Sequence, residues 1–397
     1  MKKTIVISFL PLLLAGCDSD IPMVNLGIDE VYYIPRMSKL PLESALSGEG
    51  YVWKVNGETV STDRRYIFIA QDEGIYNLTF DIIDDNTPYH FDFTITVLHE
   101  EVEYSPYISK VYEYCPAPGQ FVNEMPRYED GDTYADILQK TEESISGTND
   151  IMITLGGYGG YVTFGFDHTV INVPGEYDFR IWGNCFYELL QPEKKGGSAE
   201  PGIVMVSYDR NCNGIPDDEW YELAGSEYHS AATRHGYSIT YRRPDPNRQI
   251  TADEDNSLDD IYYIPWSDNI GNSGFLAKNI FHNQEYYPKW VKSDSMSFNG
   301  SLLAPNAEDI SGYGSYYVLY SYPWGYVDNH PNEYADLNSF DISRAVDSDG
   351  NPVSLPGVDF IRVYTGVNQY CGWLGETSTE LSRAQDLHIE LPGLPNP

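Results

Sequence analysis

Short runs of residues with a period of two, separated by turn residues, constrain the fold of this chain most strongly. Between Phe91 and Val97 apolar and polar side chains alternate strictly, which is the pattern of a strand with one buried face. The dipeptide Asn56-Gly57 joins two further apolar runs, and Asn-Gly in that position predicts a tight β-hairpin. Strand-like runs at this turn spacing over residues 25–98 predict a small β-sandwich.

A charged break at residues 99–103 separates this sandwich from the rest of the chain. Residues 104–391 continue as apolar runs divided by Gly, Pro and Asp/Asn clusters, with Asp136–Ile145 as a helical candidate. We therefore predict an all-β chain, in which an immunoglobulin-like sandwich over 25–98 precedes a larger jelly-roll-like β domain with long loops over 104–391. The strands expected in the larger domain are Ile151–Leu155, Tyr161–Phe166, Ile203–Tyr208, Tyr237–Arg242, Tyr316–Tyr320 and Val358–Thr365.

The first residues have the pattern of an export signal. Lys2 and Lys3 precede Thr4–Leu14, a mostly apolar run of eleven residues that is too short to span a bilayer. Small residues then stand directly before Cys17. This pattern predicts a lipoprotein signal peptide over residues 1–16 and lipidation of Cys17; the alternative is an ordinary secretory peptide in which the cysteine is incidental.

Residues 17–24 then form an acidic tether. Asp18 and Asp20 follow Cys17 closely and resemble the signal that directs Bacteroidetes lipoproteins to the outer leaflet. We therefore expect a lipid-anchored protein of the outer membrane, exposed on the cell surface.

The charge balance excludes two classes of partner. The chain has 60 Asp and Glu against 24 Lys and Arg, a formal net charge of −36. A polyanion gains no counterion release from nucleic acid, so nucleic-acid binding is excluded. Attraction to anionic headgroups fails for the same reason, which leaves the lipid as the predicted membrane anchor.

The best chemical signal is a calcium-loop pattern that begins at Asp209. Oxygen side chains stand at loop positions 1, 3, 5 and 9, and Gly214 is at the sharp turn, which suits a cation that needs six to eight oxygen ligands. Pro216 and Trp220 depart from the EF-hand pattern, so the loop is closer to dockerin or thrombospondin-type loops; the alternative is an Asx-rich turn that binds nothing. The predicted ligands of a structural calcium ion are Asp209, Asn211, Asn213, Asp217, Asp218 and Glu219.

Catalytic motifs are absent from the sequence, which has no GxSxG, HExxH or P-loop. The glycine-rich run Gly156–Gly160 is followed by a strand-like segment, so close backbone packing is the better interpretation than dinucleotide binding. Asp167-His168 is interpreted as a hydrogen-bonded structural loop, and the acidic turn Asp347–Asn351 as a plain hairpin. We predict no enzyme activity.

Tyr and Trp residues next to turns are the second lead. Such side chains give large contact areas and carry a polar tip, which suits sugars and corrinoids; the alternative is that they only build β cores. The predicted ligand-binding residues are Trp266, Trp290, Trp324, Tyr326 and Trp373.

Two family resemblances add to these predictions. Trp53 with Asn56-Gly57, Gly74–Tyr76 and Phe93–Val97 make residues 25–98 resemble the PKD-like domains of bacterial surface proteins. That resemblance implies a spacer that holds the next domain off the membrane.

The larger domain resembles a family of Bacteroidetes cell-surface lipoproteins over roughly residues 104–390. Members of this family often accompany outer-membrane cobalamin uptake genes, which implies a role in corrinoid capture. The motifs that carry the resemblance are Pro116–Asn123, Leu155–Gly160, Gly165–His168, Asp178-Phe179, Gly183-Asn184, Glu200–Val204, Asp209–Leu223, Trp324–Asn329, Gly357–Phe360 and Gly372–Glu376.

Four cysteines follow Cys17, and an even number in an oxidising compartment allows one or two disulfides in three connectivities. Cys185 and Cys212 stand where the family resemblance leads us to expect small or polar residues, so a disulfide between them is a hypothesis. The four are Cys115, Cys185, Cys212 and Cys371.

Together these observations predict a non-enzymatic surface lipoprotein, steadied by calcium, that binds a ligand. Cobalamin or another corrinoid is the first candidate, with a TonB-dependent outer-membrane transporter as a predicted partner. The first alternative is a calcium-stabilised glycan-binding or adhesion protein, because the same aromatic side chains suit sugars. The second is a hydrolase with a dispersed pair of carboxylates.

Overall fold

The computed structural model describes residues 26–84, 88–100, 102–189 and 192–389. The chain divides into two compact units, Met1–Glu103 and Tyr104–Pro397. Strands dominate both units, so the predicted all-β class is confirmed. The signal peptide 1–16, the lipidation site Cys17 and the tether 17–24 lie outside the described residues and stay predictions. Within the described ranges, no helix has the length and apolar character needed to cross a membrane.

The smaller unit is a sandwich of two sheets around one core. A five-stranded sheet has the order β1-β7-β6-β3-β4, and β2 pairs with β5 in a second sheet. The strands are β1 (Val31–Pro35), β2 (Leu40–Glu43), β3 (Gly50–Val55), β4 (Glu58–Ser61), β5 (Arg65–Phe68), β6 (Gly74–Ile83) and β7 (Tyr89–Leu98).

The sequence pattern explains this core directly. Phe93, Ile95 and Val97 are the buried alternate residues of β7, as the period of two predicts. They pack with Trp53, which is fully buried and stacks on Phe80 with ring centroids 3.8 Å apart. Asn56 and Gly57 have φ of +50° and +90° between β3 and β4, so the predicted Asn-Gly hairpin is confirmed.

The larger unit contains twenty strands and one α-helix within its described residues. The helix α1 (Tyr134–Ile145) covers the predicted helical segment and begins with a capping box between Thr133 and Asp136. Short 3-10 helices lie at Pro192–Lys194, Glu254–Asn256, Ala335–Asn338, Ile342–Arg344 and Gly372–Leu374. The strands are β8 (Lys110–Cys115), β9 (Ile153–Thr154), β10 (Tyr161–Gly165), β11 (Val170–Ile171), β12 (Phe179–Trp182), β13 (Gly196–Gly197), β14 (Gly202–Ser207), β15 (Trp220–Leu223), β16 (Arg234–Arg242), β17 (Leu258–Asp268), β18 (Ser273–Asn279), β19 (Ser295–Leu302), β20 (Ala307–Asp309), β21 (Tyr317–Tyr320), β22 (Ser339–Phe340), β23 (Ala345–Val346), β24 (Gly357–Val358), β25 (Phe360–Thr365), β26 (Glu380–Leu381) and β27 (Arg383–Asp386).

Two antiparallel sheets form the body of this unit. The first has the order β23-β15-β14-β25-β10-β8 and the second the order β18-β17-β16-β19. Ile203 and Tyr364 of the first sheet share one core with Tyr241, Ile264 and Phe298 of the second. The larger unit is therefore also a sandwich, and the loops between its strands carry the side chains of the candidate site.

The glycine-rich run Gly156–Gly160 packs closely against neighbouring backbone. A Cβ at Gly160 would lie 1.9 Å from the carbonyl oxygen of Leu155 and 2.2 Å from the amide nitrogen of Ala117. The strand β10 follows directly. The interpretation as a close-packing segment is confirmed.

Candidate functional site

A cavity of about 430 Å³ in the larger unit combines exposed aromatic side chains with buried carboxylates. The aromatic rim consists of side chains that line the cavity and stay substantially exposed. Phe186 is 61% exposed, Phe281 57% and Trp373 38%. The rim residues are Phe186, Phe281, Tyr316 and Trp373.

Loop contacts hold the rim in place. Phe281 and Trp373 meet edge to face with ring centroids 5.7 Å apart. The Trp373 indole nitrogen donates to the Ser315 carbonyl over 3.0 Å, and the Tyr316 hydroxyl donates to the Glu188 carboxylate over 3.0 Å. Clustered exposed aromatic rings on a soluble surface indicate a binding site, because water solvates them poorly.

Three acidic side chains converge at the base of the cavity. Glu200, Asp328 and Glu380, here called the carboxylate cluster, each place an oxygen within 4.8 Å of the other two. Glu200 and Glu380 line the cavity, while Asp328 is completely buried. Glu200 lies just before β14, Asp328 lies in the loop after β21, and Glu380 is the first residue of β26.

Asp328 is held by the backbone of two other segments. One of its oxygens accepts hydrogen bonds from the amides of Asn184, at 2.7 Å, and Cys185, at 2.8 Å. The other oxygen accepts from the amide of Glu380 at 3.0 Å. Its own backbone has φ of +55°, a conformation that Asp tolerates better than most residues. Its carboxylate is therefore fixed before any ligand arrives.

The neighbouring acidic side chains are fixed in the same way. Glu380 accepts from the Thr154 hydroxyl at 2.9 Å, and Glu200 accepts from the Ser378 amide at 3.1 Å. Glu376 also lines the cavity, and one of its oxygens accepts from the Gln120 amide at 2.6 Å. The other Glu376 oxygen is buried and has no hydrogen-bond partner.

Burial makes this group of acids unusually hard to ionise. It raises the pKa of Glu376 to about 7, and burial followed by repulsion from Glu380 raises the pKa of both Glu200 and Asp328 well above the ordinary range. None of these four carboxylates forms an ion pair with Lys, Arg or His in the described part of the chain. The base of the cavity therefore holds several carboxyl groups whose ionisation is disfavoured by burial and by one another, and no basic side chain in the described residues lowers their pKa.

A second cavity, of about 570 Å³, has a different chemistry. The Ser301 hydroxyl donates to the Glu222 carboxylate over 2.6 Å, and the same hydroxyl oxygen lies 2.8 Å from Nδ1 of His235. Ser301 is buried and its proton is engaged by Glu222, so this network is structural rather than a set of groups poised to attack a substrate. Burial raises the pKa of Glu222 to about 7.

His168 also has a structural environment. Its two ring nitrogens lie 2.7 Å from carboxylate oxygens of Asp167 and Asp386, and its side chain is fully buried. The interpretation of Asp167-His168 as a hydrogen-bonded loop is confirmed.

The Asp209 loop brings four of its six predicted ligands together. Asp209 accepts from the amides of Asn213 and Gly214 at 3.1 and 2.9 Å. The side-chain amides of Asn211 and Asn213 reach Asp217 at 3.2 and 3.1 Å. These contacts tie the loop into a compact turn, and calcium binding there stays a prediction.

The last two predicted ligands of this loop have other partners. Asp218 accepts from the Arg210 amide at 3.1 Å, and Glu219 accepts from the Tyr221 hydroxyl at 2.7 Å.

Of the five predicted ligand-binding aromatic residues, Trp373 lines the cavity between rim and carboxylates. Trp290 is buried against Tyr114, and Tyr326 is a core residue whose hydroxyl accepts from the Glu227 amide. The other two lie elsewhere. Trp266 packs against the larger core, and Trp324 is 38% exposed beneath the Arg344 guanidinium. The structure therefore does not gather the five at one surface, and for Trp290 and Tyr326 the alternative of a core role is the better description.

The carboxylate cluster and the other rim residues are not among the site residues predicted from the sequence. Glu200, Asp328 and Glu376 do lie inside motifs that carry the family resemblance. Membership in a motif was the available signal, but nothing in the sequence indicates that these distant positions meet.

The disulfide hypothesis for Cys185 and Cys212 is wrong in this structure. Cys185 is a buried free thiol, as is Cys371, and Cys115 is a partly buried one. Burial raises the pKa of the Cys115 thiol to about 11, which keeps it protonated and unreactive.

Comparisons with known proteins leave the function to the geometry. No protein-family model and no curated protein matches the chain. Similar solved structures include a quinonprotein alcohol dehydrogenase-like protein from Bacteroides thetaiotaomicron VPI-5482, with 16% identity, 21% of this chain and 20% of that chain covered, and a TM-score of 0.17. A SusE-like protein matches at 10% identity over 89% of this chain and 94% of that chain, with a TM-score of 0.25.

A third structure concerns the specificity of carbohydrate-binding modules of the β-sandwich superfamily. It matches at 10% identity over 89% of this chain and 93% of that chain, with a TM-score of 0.15. TM-scores this low do not establish a common fold.

Proposed function

We propose that this chain is a non-enzymatic lipoprotein of the outer cell surface that binds a glycan in the cavity between the aromatic rim and the carboxylate cluster. The observation that carries the proposal is the pairing of exposed rings with hydrogen-bond acceptors in a cavity of about 430 Å³. A sugar ring has an apolar C–H face that stacks on aromatic side chains and hydroxyl groups that donate to carboxylates.

The size of the cavity favours a glycan over a corrinoid. Ligand cavities generally bury most of the surface of the molecule they bind. One or two sugar rings match a space of this size, whereas a corrin macrocycle with its nucleotide loop would remain largely outside. Corrinoid capture is therefore the second candidate, and its support is the family resemblance of residues 104–390. A TonB-dependent transporter stays a predicted partner, and calcium in the Asp209 loop a predicted structural element.

Two tryptophans provide a matched pair for the test. Trp373 and Trp324 are both 38% exposed, but Trp373 lines the cavity and Trp324 does not. A glycan array followed by calorimetric titration with the best glycan should show that Trp373→Ala weakens binding by about tenfold or more. Trp324→Ala should bind like the unmodified protein.

The same three proteins also test corrinoid capture, the second candidate function. Cyanocobalamin is titrated into the same three proteins. Saturable cyanocobalamin binding that Trp373→Ala abolishes, without glycan binding, would replace the glycan proposal by corrinoid capture. Equal losses in the two tryptophan variants would show that the cavity is not the binding site.

A further inference from the structure

We propose that Glu200, Asp328 and Glu380 bind a divalent cation, Ca²⁺, at the base of this cavity. The site shares no residue with the predicted Asp209 loop and does not require that the cavity bind a glycan. It is inferred from the donor geometry, from the uncompensated charge, and from one buried oxygen that has no partner.

The donor geometry fits calcium. Ca²⁺ binds oxygen ligands at about 2.3–2.6 Å, so two oxygens on one ion lie at most about 5.2 Å apart. The three oxygens of the carboxylate cluster all lie within 4.8 Å of one another. Carboxylate oxygens are also the hard donors that calcium prefers over softer metals.

The ligands are oriented in advance. Asp328 is held by three backbone amides, and Glu380 by the hydroxyl of Thr154. Calcium sites gain affinity when the protein fixes its carboxylates, because less conformational entropy is lost on binding. The cluster thus has the construction of a binding site rather than of a chance meeting of surface acids.

The charge of the cluster points to a cation. Three buried carboxylates this close together repel one another, and hydrogen-bond donors alone do not remove that repulsion, whereas a positive group does. Within the described residues no Lys, Arg or His pairs with Glu200, Asp328 or Glu380. A divalent ion would supply the missing positive charge at the point where the three oxygens converge.

Glu376 provides the independent observation. It is 5% exposed, lines the same cavity as Glu200 and Glu380, and has one buried oxygen without a hydrogen-bond partner. Unpartnered buried carboxylate oxygens are rare because they forfeit hydration without gaining a bond. A cation or a water molecule bound to it would satisfy this oxygen.

The arrangement leaves one side of the ion open. Asp328 closes the site from the protein interior, while Glu200 and Glu380 reach it from the cavity wall. Calcium takes six to eight oxygens, so the positions left over face the cavity. Water or hydroxyl groups of a ligand would fill them.

The test uses calcium chloride and the purified whole chain stripped of metal with a chelator. The double variant Asp209→Asn/Asp217→Asn silences the predicted loop site, and calorimetry then measures what remains. We expect one calcium site in this background. Adding Glu380→Gln, which keeps the size and the acceptor for Thr154, should weaken calcium binding by about tenfold or more.

Two further variants keep the result interpretable. Near-ultraviolet circular dichroism and the metal-free melting temperature check that Glu380→Gln is folded, and Glu200→Gln carries the test if it is not. Asp347→Asn removes an acid from a turn outside both sites and should leave calcium binding unchanged.

The outcomes are distinct. Absence of calcium binding in the loop-silenced protein, or binding that neither Glu380→Gln nor Glu200→Gln weakens, would overturn the cation site. Calcium binding that survives without any glycan binding would overturn the proposed function and leave the cation site standing.

Discussion

Two oxygen-rich sites lie beyond opposite ends of the same strand, β14. Glu200 stands two residues before the strand begins at Gly202, and Asp209 stands two residues after it ends at Ser207. The Asp209 loop is largely exposed and draws its associated side chains from residues 209–217. The carboxylate cluster is mostly buried and draws on positions 200, 328 and 380.

The difference separates two ways of building an oxygen site. Short-range hydrogen bonds from Asx side chains to nearby amides form a loop from its own sequence, with little help from the rest of the protein. Distant carboxylates meet only when the whole fold brings them together. Substituting a member of the loop should therefore reduce the free energy of unfolding only slightly, and substituting a member of the cluster should reduce it much more.

The largest effect is expected for Asp328→Ala in metal-free protein. This change removes the acceptor of three backbone amides and places Ala at φ of +55°. Each buried amide left without a partner costs about 1–3 kcal/mol, so we expect a loss of about 4 kcal/mol in the free energy of unfolding. Asp217→Ala, in the exposed loop, should cost less than about 1 kcal/mol. Urea denaturation of both variants makes the comparison, and equal losses would contradict it.

A buried carboxyl outside both sites separates the effect of burial from that of clustering. Burial raises the pKa of Glu222 from 4.5 to about 7, and Ser301 donates to it. The folded state binds the Glu222 proton more tightly than the unfolded state does. The resulting contribution to the free energy of unfolding is complete below pH 4.5 and is lost as the pH rises through about 7.

The corresponding loss in the free energy of unfolding is at most about 3.4 kcal/mol. In Glu222→Gln the free energy of unfolding should therefore change less between pH 4.5 and about 7 than in the unmodified protein. Urea denaturation at a series of pH values measures this difference. An unchanged pH slope would show that Glu222 titrates normally.

Calcium-dependent stability tests the loop by itself. In the Glu380→Gln background, which weakens the cluster site, Asp209→Asn should remove the contribution of the loop to the calcium-dependent increase in the free energy of unfolding. That increase is about 2 kcal/mol when calcium is present at about thirtyfold its dissociation constant. Thermal unfolding with and without a chelator measures it. An increase that Asp209→Asn leaves unchanged would show that calcium does not bind this loop.

The smallest effect concerns coupling between the two sites. Asp217→Asn and Glu380→Gln share no hydrogen-bond partner, so their effects on metal-free stability should add within about 0.5 kcal/mol. A double-mutant cycle by urea denaturation measures the coupling. A larger coupling would mean that β14 links the two ends, and the separation between local and assembled sites would fail.

Local patterns predicted local structure well. The alternation at Phe91–Val97 became β7, Asn56-Gly57 became a hairpin, and the helical candidate became α1. Each depends on residues within a few positions of one another, where side-chain period and turn conformation dominate. The compact part of the Asp209 turn belongs to the same class, because the hydrogen bonds that join Asp209, Asn213 and Asp217 to their neighbours within residues 209–217 span at most six residues.

Predictions that required distant partners fared differently. Trp290 and Tyr326 stand next to turns in the sequence, but the fold buries both. Cys185 remains a buried thiol instead of pairing with Cys212. Composition near a turn does not reveal which face of a loop will be covered by another loop.

The sequence by itself determined the all-β class, the hairpin and the compact Asp209 turn, because these follow from the spacing of neighbouring residues. Only the tertiary structure decided that Glu200, Asp328 and Glu380 meet beneath Trp373 and Phe281. Up to 180 positions separate the members of the carboxylate cluster (380 − 200). With 60 acidic residues in the chain, no sequence pattern distinguishes the three that the fold brings together.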